Sequence, residues 1–422
     1  MISVTKLYCS RLAPDSPTGY RADPEAARQG FDSPAAGAPP RAIAVKPALT
    51  WNLTRTCNLN CSHCYSDAEP SKRPDELSTR EARALIEDVG RFGVPTLRLA
   101  GGEPLMRADL LELIACAHGQ GIRTVLLTNG TLITPAVATR LKRSGIDDVS
   151  ISLETLHTAH DCLRGKPGAF EASMAGLRNC AEAGQRAGIR VTLRKVNYRD
   201  LNEIFDFIER EKIARACFHH LVYAGRGNDA RANDLSHLET RQAMDLILRR
   251  AEDFHRRGLN SEILTDDNLV DGIYLYLKAS QSDPFRAEQI YKTLAQEGGG
   301  TSGSGVGTGN IDAQGNVHPD QFWSHYTMGN IRQKPFGEIW ADTSDPLLRG
   351  LRNCLPLLKG RCAKCLWKPL CRGNLRVRAE RVYGDPWMPD PACYLSHEEL
   401  SRGMSMSSET LEDNVLFEEE AA

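Results

Sequence analysis

Residues 57–64 read Cys-Asn-Leu-Asn-Cys-Ser-His-Cys and hold three cysteines within eight positions. Cys57, Cys61 and Cys64 are separated by three and then two residues, directly after the apolar segment 48–53, which predicts a buried strand. Thiolates this close together in one loop converge on a single soft metal centre. A cubane iron–sulfur cluster takes four thiolates, whereas this loop offers three. The sequence therefore predicts a cluster with one metal position left open for chemistry.

A zinc loop completed by His63 is the alternative. Zinc pairs usually come as C-x2-C knuckles, whereas the first gap here has three residues. The C-x3-C-x2-C spacing instead resembles the signature of the radical S-adenosylmethionine (radical SAM) enzymes. The resemblance implies that Cys57, Cys61 and Cys64 hold a 4Fe–4S cluster whose open iron binds S-adenosylmethionine. We expect His63 to pack beside the cluster rather than to ligate it.

The bulk properties of the 422-residue chain exclude several classes of function. A formal net charge of -2 indicates no nucleic-acid partner. No apolar run approaches the length of a membrane span, and the first residues lack the layout of a signal peptide. Thirteen cysteines in such a chain indicate metal binding in a reducing cytoplasm rather than disulfides.

Strands and single helices alternate after the cysteine loop. Apolar segments predict six strands, at 48–53, 94–100, 122–127, 149–153, 189–193 and 216–222. Ser78 and Glu81 predict the capped start of the first helix, which runs to about Phe92. Strands separated by single helices form a parallel sheet with right-handed crossovers. We therefore predict an α/β fold, a partial (β/α)6 TIM-like barrel of the radical SAM type with a small C-terminal extension.

The rest of the chain is divided by composition. We predict an irregular arm over 1–47, the barrel over 48–258, a helical region with a Gly-rich loop over 259–309, a cysteine-bearing extension over 310–400, and a disordered acidic tail over 401–422. The glycines of 298–309 fit either a flexible linker or a loop whose backbone approaches a ligand closely, and both remain open. Residues 311–318, with Gly315, predict a hairpin.

Further candidate residues lie at the ends of successive strands, where parallel barrels place their functional loops. Gly101-Gly102-Glu103-Pro104 follows the second strand, and in radical SAM enzymes the matching segment binds the amino group of S-adenosylmethionine. Asn129 follows the third predicted strand, and Ser152 and Glu154 close the fourth. On the fifth, Arg190, Thr192 and Arg194 share one face by strand alternation. As a set they are expected to bind the ribose hydroxyls and the carboxylate of the cofactor. The family often has Asp where Glu154 stands.

A second cysteine set consists of Cys362, Cys365, Cys371 and Cys393. Four thiolates complete either an iron–sulfur cluster or a closed zinc site. The set resembles the SPASM or twitch-type extension of radical SAM enzymes, which holds auxiliary clusters. A full SPASM domain has more cysteines, and Leu375 stands where one is expected. We therefore predict one auxiliary 4Fe–4S cluster, with Cys354 as a spare ligand.

The resemblance also extends to a narrower group. The segments that carry it are 1–7, 51–55, 221–227, 320–323, 340–346 and 390–394. They are similar to the AhbC/NirJ family of tetrapyrrole-modifying radical SAM enzymes. The AhbC type removes two acetate groups from 12,18-didecarboxysirohaem to give iron-coproporphyrin III, and the NirJ type removes propionates in haem d1 biosynthesis. The segments 1–7 and 216–227 favour the first type. A SPASM-type peptide-modifying maturase and a non-catalytic metal or haem carrier are the alternatives.

An iron tetrapyrrole with many carboxylates requires cationic and aromatic partners. We predict Arg226 and Tyr223 as substrate contacts, with Trp323 and Tyr326 as further aromatic candidates. Four histidines are candidate axial ligands of the substrate iron: His219, His220, His318 and His325. The resemblance implies an electron donor such as ferredoxin or flavodoxin. Cys9 is a candidate for returning hydrogen to the product, and no catalytic residue is assigned.

Overall fold

The computed structural model describes residues 1–9, 46–71, 73–296 and 303–401. Its strands, in chain order, are β1 Ile2–Ser3, β2 Ala48–Asn52, β3 Thr96–Ala100, β4 Arg123–Thr128, β5 Asp148–Ser152, β6 Ala187–Leu193, β7 Arg215–His220, β8 Glu262–Asp266, β9 Thr308–Ile311, β10 Asn316–His318 and β11 Gly329–Asn330. They form one sheet, in the spatial order β1, β8, β7, β6, β5, β4, β3, β2, β9, β10, β11.

The sheet is parallel from β9 through β2 to β8, and antiparallel strands lie at its two edges. The helices up to the glycine-rich region are α1 Thr79–Phe92, α2 Leu110–Gly119, α3 Pro135–Arg143, α4 His157–Arg164, α5 Ala169–Glu182, α6 Leu201–Arg210, α7 Arg226–Asp229, α8 His237–Arg256, α9 Val270–Ala279 and α10 Pro284–Gln296. This alternation confirms the predicted α/β class and partial barrel.

The C-terminal extension carries six short helices, α11 Phe336–Ala341, α12 Pro346–Arg352, α13 Gly360–Ala363, α14 Lys368–Cys371, α15 Arg376–Tyr383 and α16 His397–Ser401. Before them, β9 and β10 form the predicted hairpin, with Gly315 in the left-handed region at φ 85°. Within the described residues, no helix is both long and apolar enough to cross a membrane.

Local sequence explains where the first helix begins and ends. Ser78 accepts a hydrogen bond from the backbone N–H of Glu81, and the Glu81 carboxylate accepts one from Ser78 in return, which is the predicted capping box. The helix ends at Gly93, whose φ of 87° suits a residue without a side chain. Its buried face, including Leu85, Ile86 and Val89, packs into the core.

Two parts of the chain differ from the sequence prediction. The region predicted as helical after residue 259 begins with strand β8, which pairs with β7 in parallel, and two helices follow. The arm predicted as irregular begins with β1, which pairs antiparallel with β8. Residues 10–45 and 402–422 lie outside the described residues, as do 297–302 of the glycine-rich loop. The last residue of the glycine-rich loop, Gly309 in β9, packs against Trp340, because a Cβ at this position would lie 2.8 Å from the Trp340 ring.

Charged side chains form ion pairs at the amino ends of the strands. Asp148 of β5 pairs with Arg123 of β4, and the guanidinium of Arg215 of β7 lies 4.0 Å from Asp148 and 3.5 Å from Glu262 of β8. The functional loops lie at the opposite, carboxyl ends of the same strands, as in other parallel barrels.

Candidate functional site

The three cysteines of the first loop lie together in an apolar cluster with Leu59 and Ala169. Each sulfur has a nitrogen donor. The backbone N–H of Leu59 lies 3.5 Å from Cys57 Sγ, and that of Ala68 lies 3.5 Å from Cys64 Sγ. The guanidinium of Arg164 donates to Cys61 Sγ at 3.4 Å. Hydrogen bonds to cysteine sulfur and exclusion of water suit thiolates that hold an iron–sulfur cluster.

The glycine segment after β3 packs directly on the cysteine loop. A Cβ at Gly101 would lie 2.4 Å from the carbonyl oxygen of Thr54, and one at Gly102 would lie 2.3 Å from that of Thr56. Gly101 also has a φ of 130°, which residues with side chains rarely adopt. The two glycines are therefore required for the close approach of this segment to the cluster loop.

Glu103 ties the ends of β3 and β4 together. Its buried carboxylate accepts hydrogen bonds from the backbone N–H groups of Leu105 at 3.0 Å and Asn129 at 2.9 Å, and from Thr128 Oγ1 at 2.8 Å. Burial raises the pKa of Glu103 in spite of these donors. The Asn129 amide donates to Asn58 of the cysteine loop at 2.9 Å. The predicted cofactor residues of these two strands therefore form one network around the first cluster loop.

Glu154 lies between the cysteine loop and the barrel wall. Its Oε1 lies 3.2 Å from His63 Nε2 and 3.1 Å from Arg164 Nη2, and its Oε2 accepts from the backbone N–H of Thr192 at 3.2 Å. Burial by itself would raise its pKa, but His63 and Arg164 hold the pKa of Glu154 well below its usual value. His63 thus pairs with a carboxylate, as expected for a residue packed beside the cluster.

Two arginines of β6 and its following loop present unused donors. Arg190 Nη2 donates to Ser152 Oγ at 2.7 Å, while its Nε is buried without a hydrogen-bond partner among the described residues. The Nε and Nη2 atoms of Arg194 are likewise buried and unpartnered there. Unpaired buried guanidinium donors are costly, so the site favours a bound anionic group such as a carboxylate.

Comparison with known proteins identifies the superfamily. Residues 51–208 match the family model described as the Radical SAM superfamily. Over 407 residues the chain is 47% identical to the Fe-coproporphyrin III synthase of Methanosarcina barkeri, covering 95% of this chain and 99% of that protein. It is 43% identical over 355 residues to the pre-heme d1 synthase of Dinoroseobacter shibae, covering 84% and 87%. The chain belongs to the radical SAM superfamily.

The fold of this radical SAM enzyme is also found in solved structures. The Streptococcus suis protein SuiB bound to its precursor peptide SuiA superposes with a TM-score of 0.65 at 20% identity, covering 83% of this chain and 76% of that one. Radical SAM enzymes use S-adenosylmethionine and a 4Fe–4S cluster. The N–H groups that donate to the three cysteine sulfurs suit the cluster, and the unpartnered guanidinium nitrogens of Arg190 and Arg194 suit the carboxylate of S-adenosylmethionine. Superfamily membership decides against the zinc loop and against a non-catalytic carrier.

The second cysteine set of this radical SAM enzyme also converges. Cys362, Cys365, Cys371 and Cys393 line one cavity between α9 and the extension. Arg361 donates to Cys393 Sγ at 3.2 Å, which fits a thiolate. Cys354, the predicted spare, does not line the cavity, and its thiol donates to the carbonyl oxygen of Arg372 at 3.4 Å. The geometry therefore favours the four predicted ligands over Cys354.

The residues predicted to contact substrate have partners within the protein. Arg226 Nε donates to the carbonyl oxygen of Cys61 at 2.9 Å and Nη1 to that of Ala68 at 3.2 Å, so this side chain holds the cysteine loop. Tyr223 is buried, and its hydroxyl donates to Asp234 at 2.6 Å. Trp323 is buried as well, and the Tyr326 hydroxyl donates to Asp345 at 2.8 Å.

The candidate axial ligands differ in their surroundings. Ring nitrogens of three of them lie near protein acceptors: His220 near Asp271, His318 near the carbonyl oxygen of Tyr326, and His325 near Glu380. His219 Nδ1 lies 2.8 Å from Asp267, but its Nε2 is buried without a hydrogen-bond partner among the described residues.

Sequence reasoning did not predict three contacts: the hydrogen bond from Arg164 to Cys61, the hydrogen bonds by which Arg226 holds the cysteine loop, and the pairing of His219 with Asp267. Arg164 ends helix α4 and reaches Cys61, more than a hundred residues away along the chain. No spacing rule connects such positions, because the fold rather than the local sequence brings them together. The alternation of Arg190 and Arg194 on one strand face was the signal that did identify the arginines.

Proposed function

We propose that this enzyme removes acetate side chains from 12,18-didecarboxysirohaem to give iron-coproporphyrin III. The end-to-end identity with Fe-coproporphyrin III synthase is the observation that supports the proposal best, because it spans both cysteine sets and the extension. The second candidate, propionate removal as in haem d1 biosynthesis, rests on the somewhat lower and shorter match to pre-heme d1 synthase.

In this proposal the cluster and S-adenosylmethionine supply a 5′-deoxyadenosyl radical, which is chemistry that belongs to the cofactor. Cys57, Cys61 and Cys64 hold the cluster. Gly101 and Gly102 bring the backbone of the segment 101–104 close to the methionine end of the cofactor. Arg190 and Arg194 hold its carboxylate through their unused donors, and Ser152 orients the Arg190 guanidinium.

A polar cavity between the barrel and the extension is where we place the tetrapyrrole. The lining includes Arg98 of β3, Phe322 and Leu375, and also the carboxylates of Asp266, Asp267 and Asp320. Arg98 and Phe322 are of the cationic and aromatic types that a polycarboxylate macrocycle requires, whereas the three carboxylates would have to lie away from its carboxylate side chains. Arg226 then acts through the cluster loop rather than on the substrate.

The second cysteine set is proposed to hold one auxiliary 4Fe–4S cluster. A low-potential one-electron carrier such as ferredoxin or flavodoxin is proposed as the reductant, in a reducing cytoplasm where thiolates persist. Arg361, close to Cys393, would help to set the potential of that cluster by donating to its sulfur.

Anaerobic reconstitution tests the function. The cluster-loaded protein is mixed with dithionite, S-adenosylmethionine and didecarboxysirohaem, and products are followed by mass spectrometry. Stepwise loss of two acetate groups, with formation of 5′-deoxyadenosine, is the expected result. Propionate loss would instead favour the haem d1 type. Deoxyadenosine with an unchanged tetrapyrrole would overturn both and lead to tests with peptide substrates.

A further inference from the structure

The loop 362–371, here called the ligand loop, carries three of the four cysteines of the second set and also reaches the protein surface. Trp367 belongs to its buried side, and the indole ring packs on Tyr276 of α9 with 5.2 Å between the ring centroids. The exposed side of the ligand loop consists of Lys364, Leu366 and Pro369. The ligand loop therefore lies between the cysteine-lined cavity and the solvent.

Leu366 directly follows Cys365, which lines that cavity, and its side chain is 53% exposed. Neighbouring Cα atoms are about 3.8 Å apart, so the chain passes from the proposed cluster site to the surface within one residue. A single exposed leucine is ordinary on a protein surface, and this one is informative because of its place beside a cluster ligand. A redox protein docked over Leu366 would lie close to a cluster held by Cys365.

The chain around the ligand loop is strongly basic. Residues 346–379 contain nine lysines and arginines and no aspartate or glutamate, although the whole chain has a formal net charge of -2. Among the described residues, only Lys359 and Arg378 of these nine form ion pairs, with Asp385 and Asp390. The other seven have no carboxylate within ion-pair distance there, so this side of the molecule attracts negatively charged partners.

The cations of the ligand loop differ in what they contact. Lys368 lines the cavity, and its Nζ donates to the carbonyl oxygen of Ala363 at 2.9 Å. Because four thiolates leave a 4Fe–4S cluster with a net negative charge, Lys368 and Arg361 would balance the cluster. Lys364 is exposed and forms no hydrogen bond or ion pair with the described residues. Its charge is therefore directed to the solvent side, where an external partner can meet it.

The acidic side chains that border the ligand loop belong to helix α16. The backbone N–H of Leu366 donates to the carbonyl oxygen of Leu400 at 3.2 Å, which places α16 beside the loop. Of the two carboxylates in this helix, that of Glu399 is paired with Arg241 at 2.8 Å, and Glu398 is exposed. Two carboxylates, one of them neutralised, do not offset the seven cations without ion pairs.

The surface around the first cysteine loop has no comparable excess of positive charge. Glu69 lies 2.6 Å from Arg73 and 3.7 Å from Arg55. Asp67 is exposed and accepts from the backbone N–H of Arg226 at 2.8 Å. An acidic protein is therefore steered to the ligand loop rather than to the first cysteine loop.

We propose that a small acidic electron-transfer protein of low potential docks on the exposed side of the ligand loop, at Lys364, Leu366 and Pro369. The inference rests on the proposed function, which supplies the auxiliary cluster and its reductant. One electron passes from the carrier to the auxiliary cluster, so the carrier is oxidised by one electron, the cluster is reduced by one, and no covalent bond changes. Redox encounters of this kind use small interfaces, and their association rate depends on charge.

Reduction of the auxiliary cluster by flavodoxin tests the inference. Flavodoxin hydroquinone is mixed anaerobically with the cluster-loaded protein in a stopped-flow spectrometer, without S-adenosylmethionine or tetrapyrrole, over a range of ionic strengths. The second-order rate constant is compared for the parent, Lys364→Glu and Leu366→Gln. Lys142→Glu, at an exposed position of helix α3, changes the net charge equally and is the matched control. A background that lacks the first three cysteines assigns the reduction to the auxiliary cluster.

We expect Lys364→Glu to lower the rate constant about three- to tenfold at low ionic strength, because an attraction becomes a repulsion. The difference should disappear at about 1 M salt, where the Debye length is about 3 Å. Leu366→Gln should lower the rate constant at every ionic strength, since it removes an apolar contact and no charge. Lys142→Glu should match the parent. Iron content, the midpoint potential of the auxiliary cluster and dithionite-driven formation of deoxyadenosine should be unchanged in all three variants.

Three outcomes would overturn the inference. If Lys364→Glu behaves like Lys142→Glu at every ionic strength, the carrier docks elsewhere. If Lys364→Glu lowers the iron content or shifts the midpoint potential, the cations serve only to balance the cluster. If its effect on the rate appears only in a chain that ends at Ser401, the acidic segment 402–422 occupies this face instead of a carrier. None of these outcomes touches the deacetylase function, which fails separately if the parent forms deoxyadenosine but leaves the tetrapyrrole unchanged.

Discussion

At the scale of single residues, Arg226 shows how one long side chain holds the cysteine loop. Its guanidinium donates to the carbonyl oxygens of Cys61 and Ala68. Its backbone N–H donates to the carbonyl oxygen of Cys64 at 3.0 Å. Hydrogen bonds from a charged donor contribute about 1.5–3 kcal/mol each. Arg226→Ala should therefore lower the melting temperature and the iron bound by the first cluster after reconstitution.

Arg91→Ala is the matched control, because that side chain is 75% exposed and lies 3.7 Å from Asp88. It should retain the iron content and stability of the parent. A variant Arg226→Ala that keeps its full iron but shows a higher KM for the tetrapyrrole would instead support the sequence-based prediction of a direct substrate contact.

How far single residues could be predicted from sequence depends on how local their partners are. Cys57, Cys61 and Cys64 share one loop, so their spacing alone identified them. Arg226 contacts backbone carbonyl oxygens about 160 residues earlier in the chain. Every residue has a carbonyl oxygen, so no sequence pattern indicates which one an arginine will contact. Only the resemblance singled out the segment of Arg226, and it suggested a different contact.

At the scale of elements, the segment 101–104 and the cysteine loop act as one unit. A Cβ at Gly102 would lie 2.3 Å from the carbonyl oxygen of Thr56, and neither backbone can move away without disturbing the cluster. Gly102→Ala should weaken S-adenosylmethionine binding at least about tenfold, measured by calorimetry on the reconstituted protein.

Gly119→Ala provides the comparison for that prediction. A Cβ at Gly119, the last residue of α2, meets no atom within 4 Å. This substitution should leave S-adenosylmethionine binding unchanged and stabilise the helix by up to about 1 kcal/mol. Equal binding by both variants would show that the close approach at Gly102 does not shape the cofactor site.

The strands that sequence missed are those whose pattern is weakest. β8 reads Glu-Ile-Leu-Thr-Asp, with only two apolar residues between charged ends, and β1 has two residues. β1 depends on its pairing with β8, and β8 on its pairing with β1 and β7, rather than on their own periodicity. Strand β4, with four apolar or β-branched residues in a row, was predicted within one residue of each end, whereas the starts of β3 and β6 differ from the prediction by two residues.

At the scale of the whole molecule, Arg378 connects the extension to the barrel. Its fully buried guanidinium donates to the carbonyl oxygens of Leu221 after β7 at 3.1 Å and Asp267 after β8 at 2.7 Å. It also pairs with the buried carboxylate of Asp390 in the extension at 3.1 Å. The Arg378 side chain thus fixes the position of the extension relative to the barrel. It also holds the backbone of Asp267, whose carboxylate orients His219.

Arg378→Met should destabilise the protein by about 3–5 kcal/mol, because it leaves the Asp390 carboxylate buried without a counter-charge. Arg378→Met combined with Asp390→Asn should recover part of that loss, since the unpaired charge is removed while an acceptor oxygen remains. Arg257→Met, which breaks an exposed ion pair with Glu209, should cost less than about 1 kcal/mol. Anaerobic urea unfolding of the cluster-loaded proteins measures all three. If Arg378→Met costs no more than Arg257→Met, the extension is held by its apolar contacts instead, and the conformation of Asp267 does not depend on the buried arginine.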